Sequence, residues 1–516
     1  MGKTSTCKHD VLQLTPSPFA PLAGFEQTDM RARIAATTKS GRAPPDRNLP
    51  ASNSKLTRQS QAESQNFPAP LILPHDALNY EPEGDMPAQS LKSWLNAAIR
   101  NKITPARKTL YVGAAPRIGK EVEFMRDWVK PNVKQAESAR PVKRAKKEKN
   151  NGKNTADEVQ LSPPTVDETI SYLSSFYHGL PVKRLPTNLR WTAWEQGKSR
   201  TVPSIDEIPK YVALDYGKAA TRVRARAAPD NMFAAQLNLD DILDAAIAML
   251  PSDACAIVLL IDHDIYESPE DDFCAGRAYG GSRVSLVQTA RYNPLLDEKI
   301  GIVRGHAWPM SHCKCVVKDI CDAEGDIEIN PPTAAEIRLS KSGAMRSAID
   351  AVSDLKAGET KAEVESLWAS RVLRTVSHEL GYVSNHSFVV SLWILLIVIN
   401  SHCLYLGHCQ YYACIMQSTS SLQEDTRQPP SLCPVCLAKI AHAVSAELMG
   451  QESPQQQELW TRERYTSLRE FCVRKRQSVG ETILWVGLEA WLNSMLSGEE
   501  KSTHEQVEVI DLTGDE

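Results

Sequence analysis

Hydrophobic residues gather into a few periodic blocks along this chain, with long polar stretches between them. From 14 to 80 the residues are mostly Pro, Ser, Ala and Gln with no apolar period, and a largely disordered arm is expected over 1–85. The block 86–133 reads as a small α/β segment. Leu91, Trp94, Leu95 and Ile99 fall at helical spacing, Lys108 to Ala115 reads as a strand, and Lys120 to Val129 as a helix. A basic disordered linker follows over 134–164. In the main block, 165–449, Leu239, Ile242, Leu243, Ala246, Ile247 and Leu250 form one helix face, with Asn238 as N-cap and Pro251 as stop. Ala256 to Ile261 and Ser282 to Gln288 are short apolar runs of the kind that form buried strands, and an acidic loop, Asp262 to Asp272, separates them. A long helix over about Thr360 to Gly381 carries a stripe of Val364, Leu367, Trp368, Val372, Leu373, Val376 and Leu380. After Cys436 the pattern is helical to about Leu496, with a break over Gly450 to Gln457, so 450–496 is expected to be C-terminal helices and 497–516 a mobile acidic tail. This order predicts a mixed α/β (α+β) fold with its chemistry on the long helix.

Composition narrows the function classes. The 516 residues, with 42% hydrophobic, suffice for two ordinary domains or one large one with disordered arms. A net charge of −4 argues against an electrostatic nucleic-acid binder, and no nucleic-acid partner is expected. The N-terminus has no apolar secretory segment, which favours an intracellular protein of cytoplasm or nucleus. With 12 cysteines and no such segment, thiols are expected to meet metals more often than each other. Met1-Gly2-Lys3-Thr4-Ser5-Thr6 fits a loose myristoylation pattern with Cys7 beside it, against the plainer reading of an ordinary disordered start. Lys143-Arg144-Ala145-Lys146-Lys147 fits a nuclear import signal and a solvated linker equally.

The candidate chemistry sits at the end of the long helix, at Ser377-His378-Glu379-Leu380-Gly381. A zinc peptidase needs two histidines one helical turn apart, so that both imidazoles reach one ion. The glutamate beside the first of them takes a proton from a water that the ion acidifies. Four residues after His378, however, stands Tyr382. Removing Tyr382 to Ser401 changes the picture. The chain then reads His378-Glu379-Leu380-Gly381-His402, with His408 six residues later, followed by Cys409, Cys414, Met416 and Cys433-Pro434-Val435-Cys436.

That string, about 40 residues long, resembles the archaemetzincins, metzincin-like zinc peptidases that carry H-E-x-x-H-x5-H-C-x4-C-x-M and then C-x2-C. The resemblance implies a mixed sheet packed on an active-site helix, and two zinc ions. The catalytic ion would take His378, His402 and His408, with Glu379 as general base. The structural ion would take Cys409, Cys414, Cys433 and Cys436, and Met416 would lie beneath the catalytic site. Four cysteines in one short segment suit a tetrahedral thiolate site on their own terms. His408 and Cys409 are neighbours that would face different ions, which sets the two sites side by side. One position departs from the metzincin pattern: Tyr405 stands where a glycine leaves the helix, so the turn is open to a shift.

The interrupting segment contains an apolar run of twelve residues, Phe388 to Ile399, short of the ~20 that span a bilayer, and a membrane role is not expected. Were it to continue the helix, His378 and His402 would lie about 36 Å apart at 1.5 Å per residue and could not share an ion. His386, two turns above His378, does not replace the missing ligand. The codons permit a splice-donor-like string at Gly381-Tyr382-Val383-Ser384 and an acceptor at Asn400-Ser401, so an untranslated segment read through into the protein accounts for the interruption. Peptidase activity is then expected only of the form without Tyr382 to Ser401, and sequencing the mature transcript decides the matter.

The leading reading is a zinc peptidase acting on peptides or proteins. Its rival is a catalytically dead four-cysteine zinc protein that recruits partners, and a membrane-anchored protein is a third reading. His312, Cys313, Cys315 and Cys321 match no standard zinc spacing and read as ordinary cysteines more readily than as a third site. The acidic loop fits no EF-hand register. Val509-Ile510-Asp511-Leu512, with acids following, resembles a SUMO-interacting motif that would add an extended strand to a sheet edge; a merely disordered acidic tail is the alternative.

Overall fold

The computed structural model describes residues 8–43, 65–74, 76, 88–98, 100–133, 161–194, 208–323, 327, 330–355, 360–381 and 404–511, the last thirteen as backbone alone. Two sheets organise it. The first has the order β10-β11-β8-β1-β3, from Gly276–Tyr279 (β10), Val284–Gln288 (β11), Ala254–Ile261 (β8), Thr109–Gly113 (β1) and Val182–Arg184 (β3). Its four inner and far-edge strands run parallel, and β10 alone is antiparallel and lies at an edge. A parallel sheet must be covered on both faces, and β8 shows how its sequence meets that demand. All eight residues are buried, and their period of two divides them between two cores: Ala256, Val258 and Leu260 join one, Ile257, Leu259 and Ile261 the other. Three of the strands read from the sequence (β1, β8 and β11) thus form the centre of this sheet.

The second sheet has the order β2-β4-β5-β6-β7-β9, from Arg117–Ile118 (β2), Arg190–Ala193 (β4), Tyr211–Asp215 (β5), Ala220–Ala227 (β6), Ala235–Asn238 (β7) and Asp264–Tyr266 (β9). Sequence pattern alone does not predict it. Its longest strand, β6, reads ATRVRARA and buries only Val223 fully, so the arginines hide the period. The fold is therefore mixed α/β, as expected, with a second mixed sheet added.

Helices cover the layers. Val166–Phe176 (α1) and Leu239–Ala248 (α2) flank the sheets, and Asn238 caps α2 by accepting from the Asp241 amide at 3.2 Å. Ala344–Val352 (α3) and the long Lys361–Gly381 (α4) follow, and α4 lies against β8, β10 and β11. Leu422–Arg427 (α5) and Pro434–Ala441 (α6) lead to Pro454–Val479 (α7) and Ile483–Asp511 (α8). A capping box at Ser453 and Gln456 starts α7, inside the expected break. The helix expected over Ser90 to Arg100 is only Leu91–Leu95, and that expected over Lys120 to Val129 is a 3-10 turn at Lys120–Val122 followed by Met125–Trp128.

The N-terminal residues depart from the expected disordered arm. Leu12, Leu14 and Phe67 are buried in the same core as Leu373 and Val376 of α4. Main-chain bonds tie them down: Gln13 N to His312 O at 2.7 Å, Lys314 N to Val11 O at 2.9 Å, Ala69 N to Leu14 O at 3.0 Å and Ala413 N to Pro68 O at 2.9 Å. Isolated apolar residues among prolines carry no period, yet each can be buried once the backbone around it is satisfied. At the other end, α8 continues through Asp511, past Ser497 where a mobile tail was expected. Val509, Ile510 and Asp511 are in its last turn, a conformation that cannot add a strand to a sheet edge, so the SUMO reading has no support here. Leu512 lies outside the described residues, as do the lipidation and nuclear-import candidates and the apolar run Phe388 to Ile399. Among the described residues no helix is long and apolar enough to cross a membrane.

Candidate metal centre and active site

The end of α4 is fixed from several sides. Trp368 Nε1 donates to Thr289 O at 2.7 Å, and Arg371 makes a buried two-pronged pair with Asp297 at 2.6 and 2.9 Å. Tyr177 donates its hydroxyl hydrogen to Ser377 O at 2.7 Å. These contacts hold His378 and Glu379 where the helix meets β10.

The described part of the helix reaches Gly381, whose carbonyl accepts from Leu406 N at 2.9 Å. Tyr405 has φ +61°, the left-handed conformation. The turn has therefore not shifted, although tyrosine replaces glycine there. Counting from Gly381 as though 382–401 were missing makes Tyr405 the residue just past the helix cap and Leu406 the next. The Leu406 to Gly381 bond is then the six-to-one bond of a Schellman cap around a left-handed residue. Left-handed tyrosine costs about 1–2 kcal/mol. Tyr405→Gly should therefore be more stable than Tyr405→Val by at least that much in denaturant titrations; a β-branched residue is the poorest choice there.

Residues that no sequence pattern marks as site-forming hold this return segment. Gln89 Oε1 accepts from Gly407 N at 2.8 Å and from Lys439 Nζ at 2.9 Å, and Gln89 Nε2 donates to Tyr405 O at 3.2 Å. Trp94 Nε1 donates to Leu404 O at 3.1 Å. Gln89 is a single polar residue after a proline-rich stretch, with nothing around it to signal a role.

His378 and His408 are brought together, with ring centroids 5.8 Å apart and planes inclined by 33°. His378 Nδ1 lies 2.6 Å from Ile415 O, a contact that places the proton on Nδ1 and the lone pair on Nε2, the arrangement of a metal-ligating histidine. His402 lies outside the described residues. Glu379 is buried, and burial pushes its carboxyl up to about 8 against the opposing pull of Arg277. It packs on the strand edge: a Cβ added to Gly276 would meet Glu379 Cγ at 3.1 Å. Met416 is fully buried beneath the helix end, and a Cβ on Gly381 would come within 2.8 Å of its sulfur.

The four cysteines form the clearest donor set. The sulfurs of Cys409, Cys414, Cys433 and Cys436 lie within 4.8 Å of one another, all buried, and they are the only such group among the described residues. Local structure explains the convergence. Cys433 caps α6 with Pro434 at its first position, which puts Cys436 one turn on, and Cys409 N donates to Met416 O at 2.8 Å to close the loop. Amides of Cys433 and Met416 point at Cys414 Sγ at 3.2 and 3.4 Å. Thiol hydrogens from Cys414, Cys433 and Cys436 favour the thiolate of Cys409, whereas burial pushes Cys414 and Cys433 up. Several buried thiolates in contact repel one another unless a cation lies among them, so the set fits a tetrahedral zinc. The loop that the cysteines close also presents the Ile415 carbonyl to His378, which joins the two sites physically.

Other candidates disperse. Cys315 is disulfide-bonded, Cys321 packs with Leu71, Leu73 and Val317, and His312 contacts Ser311 Oγ at 3.0 Å. In the acidic loop, Asp264 pairs with Arg291, Glu267 with Arg277, and Asp262 accepts from Thr289 at 2.9 Å.

No family model matches the chain. It is similar to Archaemetzincin-2 of Rattus norvegicus, 31% identical over 87 residues, which are 17% of this chain and 19% of that protein. It is similar to Archaemetzincin-1 of Homo sapiens, 42% identical over 60 residues, 12% of either chain. The match thus spans about a fifth or less of the length of these curated relatives. The crystal structure of archaemetzincin from Methanopyrus kandleri aligns over 70% of this chain and 96% of that one, at 14% identity and a TM-score of 0.25, too low to bear on the fold. Over that matched stretch the chain is similar to the archaemetzincins, and the same chain carries the buried four-cysteine cluster and the paired histidines beside it.

Proposed function

We propose that this chain is a zinc-dependent peptidase. The observation that carries the reading is the approach of His378 and His408 to 5.8 Å, with Glu379 between the helix end and the edge strand β10. The catalytic zinc would be held by His378, His402 and His408, and the structural zinc by Cys409, Cys414, Cys433 and Cys436. When bound, the catalytic ion supplies a water acidified toward neutrality and a polarised scissile carbonyl. The protein's own residues do the rest. Glu379 accepts the proton of the attacking water on its carboxylate and returns it to the departing amine. Strand β10 is antiparallel and, among the described residues, unpaired on its outer side, so an extended peptide can add to it by main-chain bonds and pass Glu379. Ile415 O holds the His378 tautomer.

The rival reading, a four-cysteine zinc protein without activity, draws on a specific observation. The four cysteine sulfurs lie within 4.8 Å of one another, all buried, a set that can hold a zinc whether or not the histidines hold another. The read-through account of 382–401 is part of this proposal, and the Leu406 to Gly381 bond across the interruption supports it. A form lacking Tyr382 to Ser401 is expected to be the active one, hydrolysing a broad peptide library with two zinc ions bound. If that form binds one zinc and cleaves nothing, the rival stands.

A further inference from the structure

Several buried cations of this protein sit against carboxylates. Arg291 pairs with Asp264 and Asp230, Arg371 with Asp297, and Arg100 with Glu447. Taking an ion out of water is strongly unfavourable without such a partner. Lys439 of α6 and Arg464 of α7 lack one. They are 1% and 0% exposed, and among the described residues neither pairs with a carboxylate. Lys439 Nζ donates to a neutral acceptor, Gln89 Oε1, at 2.9 Å. Arg464 Nε donates to another, Phe176 O, at 2.8 Å, and Arg464 Nη2 has no acceptor among the described residues.

Both cations belong to the surroundings of the four cysteines. Lys439 follows Cys436 by three residues on α6, so the two side chains leave neighbouring points of the helix surface. Its partner Gln89 also accepts from Gly407 N at 2.8 Å, two residues before Cys409. Arg464 lies on α7, which packs against α6. Burial pushes its guanidinium down, and Cys414 is among the neighbours that act the other way, with Tyr465, Tyr172 and Tyr177. Four neutral thiols would leave Lys439 and Arg464 without a counter-charge. A divalent ion among four thiolates is doubly negative, which the two cations together balance.

We propose that Lys439 and Arg464 are the counter-cations of a doubly negative metal–tetrathiolate centre and set its affinity for the ion. The inference rests on the part of the proposed function that both readings share, an ion held by Cys409, Cys414, Cys433 and Cys436. It is independent of the histidine site.

Iron tests it, because the same donor set takes iron and one-electron reduction turns that centre from singly to doubly negative. The full chain is loaded with iron in place of zinc and titrated at an electrode, followed by the visible thiolate-to-iron absorption. Zinc retention against graded chelator and thermal denaturation are measured alongside. Lys439→Gln and Arg464→Gln each keep an N–H donor and remove one positive charge. Each is expected to lower the reduction potential and to weaken zinc at the cysteines by about 10–100-fold. Arg464→Lys keeps the charge and changes the shape, and its potential should stay at the parent's value. A potential that is unchanged or raised in folded glutamine variants overturns the proposal. So does a fall in Arg464→Lys as large as that in Arg464→Gln, which would make shape the cause. Should the Arg464 variants not fold, Lys439→Gln decides by the same readouts. A parent protein that takes neither iron nor zinc at the cysteines rejects the four-cysteine centre itself, and this inference with it.

Discussion

Glu379→Gln is expected to lower peptide hydrolysis by about 10²–10⁴-fold, the range for loss of a general base, while zinc content stays at two per chain. The substitution keeps shape and removes only the ability to take a proton. Glu379 is buried against Gly276 and burial already disfavours its charge, so a neutral amide fits the same space at little cost. The melting temperature should hold or rise slightly. A loss of turnover accompanied by loss of fold would point to a packing role, and unchanged turnover would remove Glu379 from the mechanism. Progress curves on a fluorogenic peptide, with metal analysis and thermal denaturation on the same samples, separate these outcomes.

Cys433→Ser is expected to cost far more stability than Glu379→Gln or either Tyr405 variant, above about 4 kcal/mol, where the removal of a metal ligand places it. Cys433 is both a member of the thiol cluster and the N-cap of α6, and its own amide points at Cys414. Losing the cluster frees the 409–416 loop, and with it the Ile415 carbonyl that orients His378. The variant should therefore lose one zinc outright and bind the second more weakly, by about 10–100-fold, the usual effect of removing a group that orients a ligand. Metal analysis after dialysis against a graded series of chelator concentrations reads both effects. Retention of two tightly held ions by Cys433→Ser would mean that the two sites are independent.

The parts of this molecule legible in the sequence are those whose signal is local. β8 reads as a strand because all its residues are apolar, α2 because Asn238 and Pro251 bracket a helical face, and the cysteine cluster because C-P-x-C forms a helix start with a cysteine at either end. The second sheet is not legible, since β6 alternates arginine with small residues and its partners are short. The buried N-terminal residues are equally silent, because Leu12 and Phe67 owe their burial to hydrogen bonds with chain more than 300 residues away, such as Leu12 N to Ser340 Oγ at 2.8 Å. Within the candidate site, sequence spacing singled out His378, Glu379, His408 and the four cysteines, yet not what positions them. Gln89, Trp94, Tyr177 and the Ile415 carbonyl act through side-chain and main-chain contacts that no spacing encodes.

Zinc K-edge absorption on the purified protein, with stoichiometry from the same sample, tests directly whether histidines on either side of the interruption grip a single ion. Two zinc ions per chain, with average nearest-neighbour scatterers near half sulfur and half nitrogen or oxygen, are expected. One zinc per chain in an all-sulfur shell would contradict the account and leave only the cysteine site.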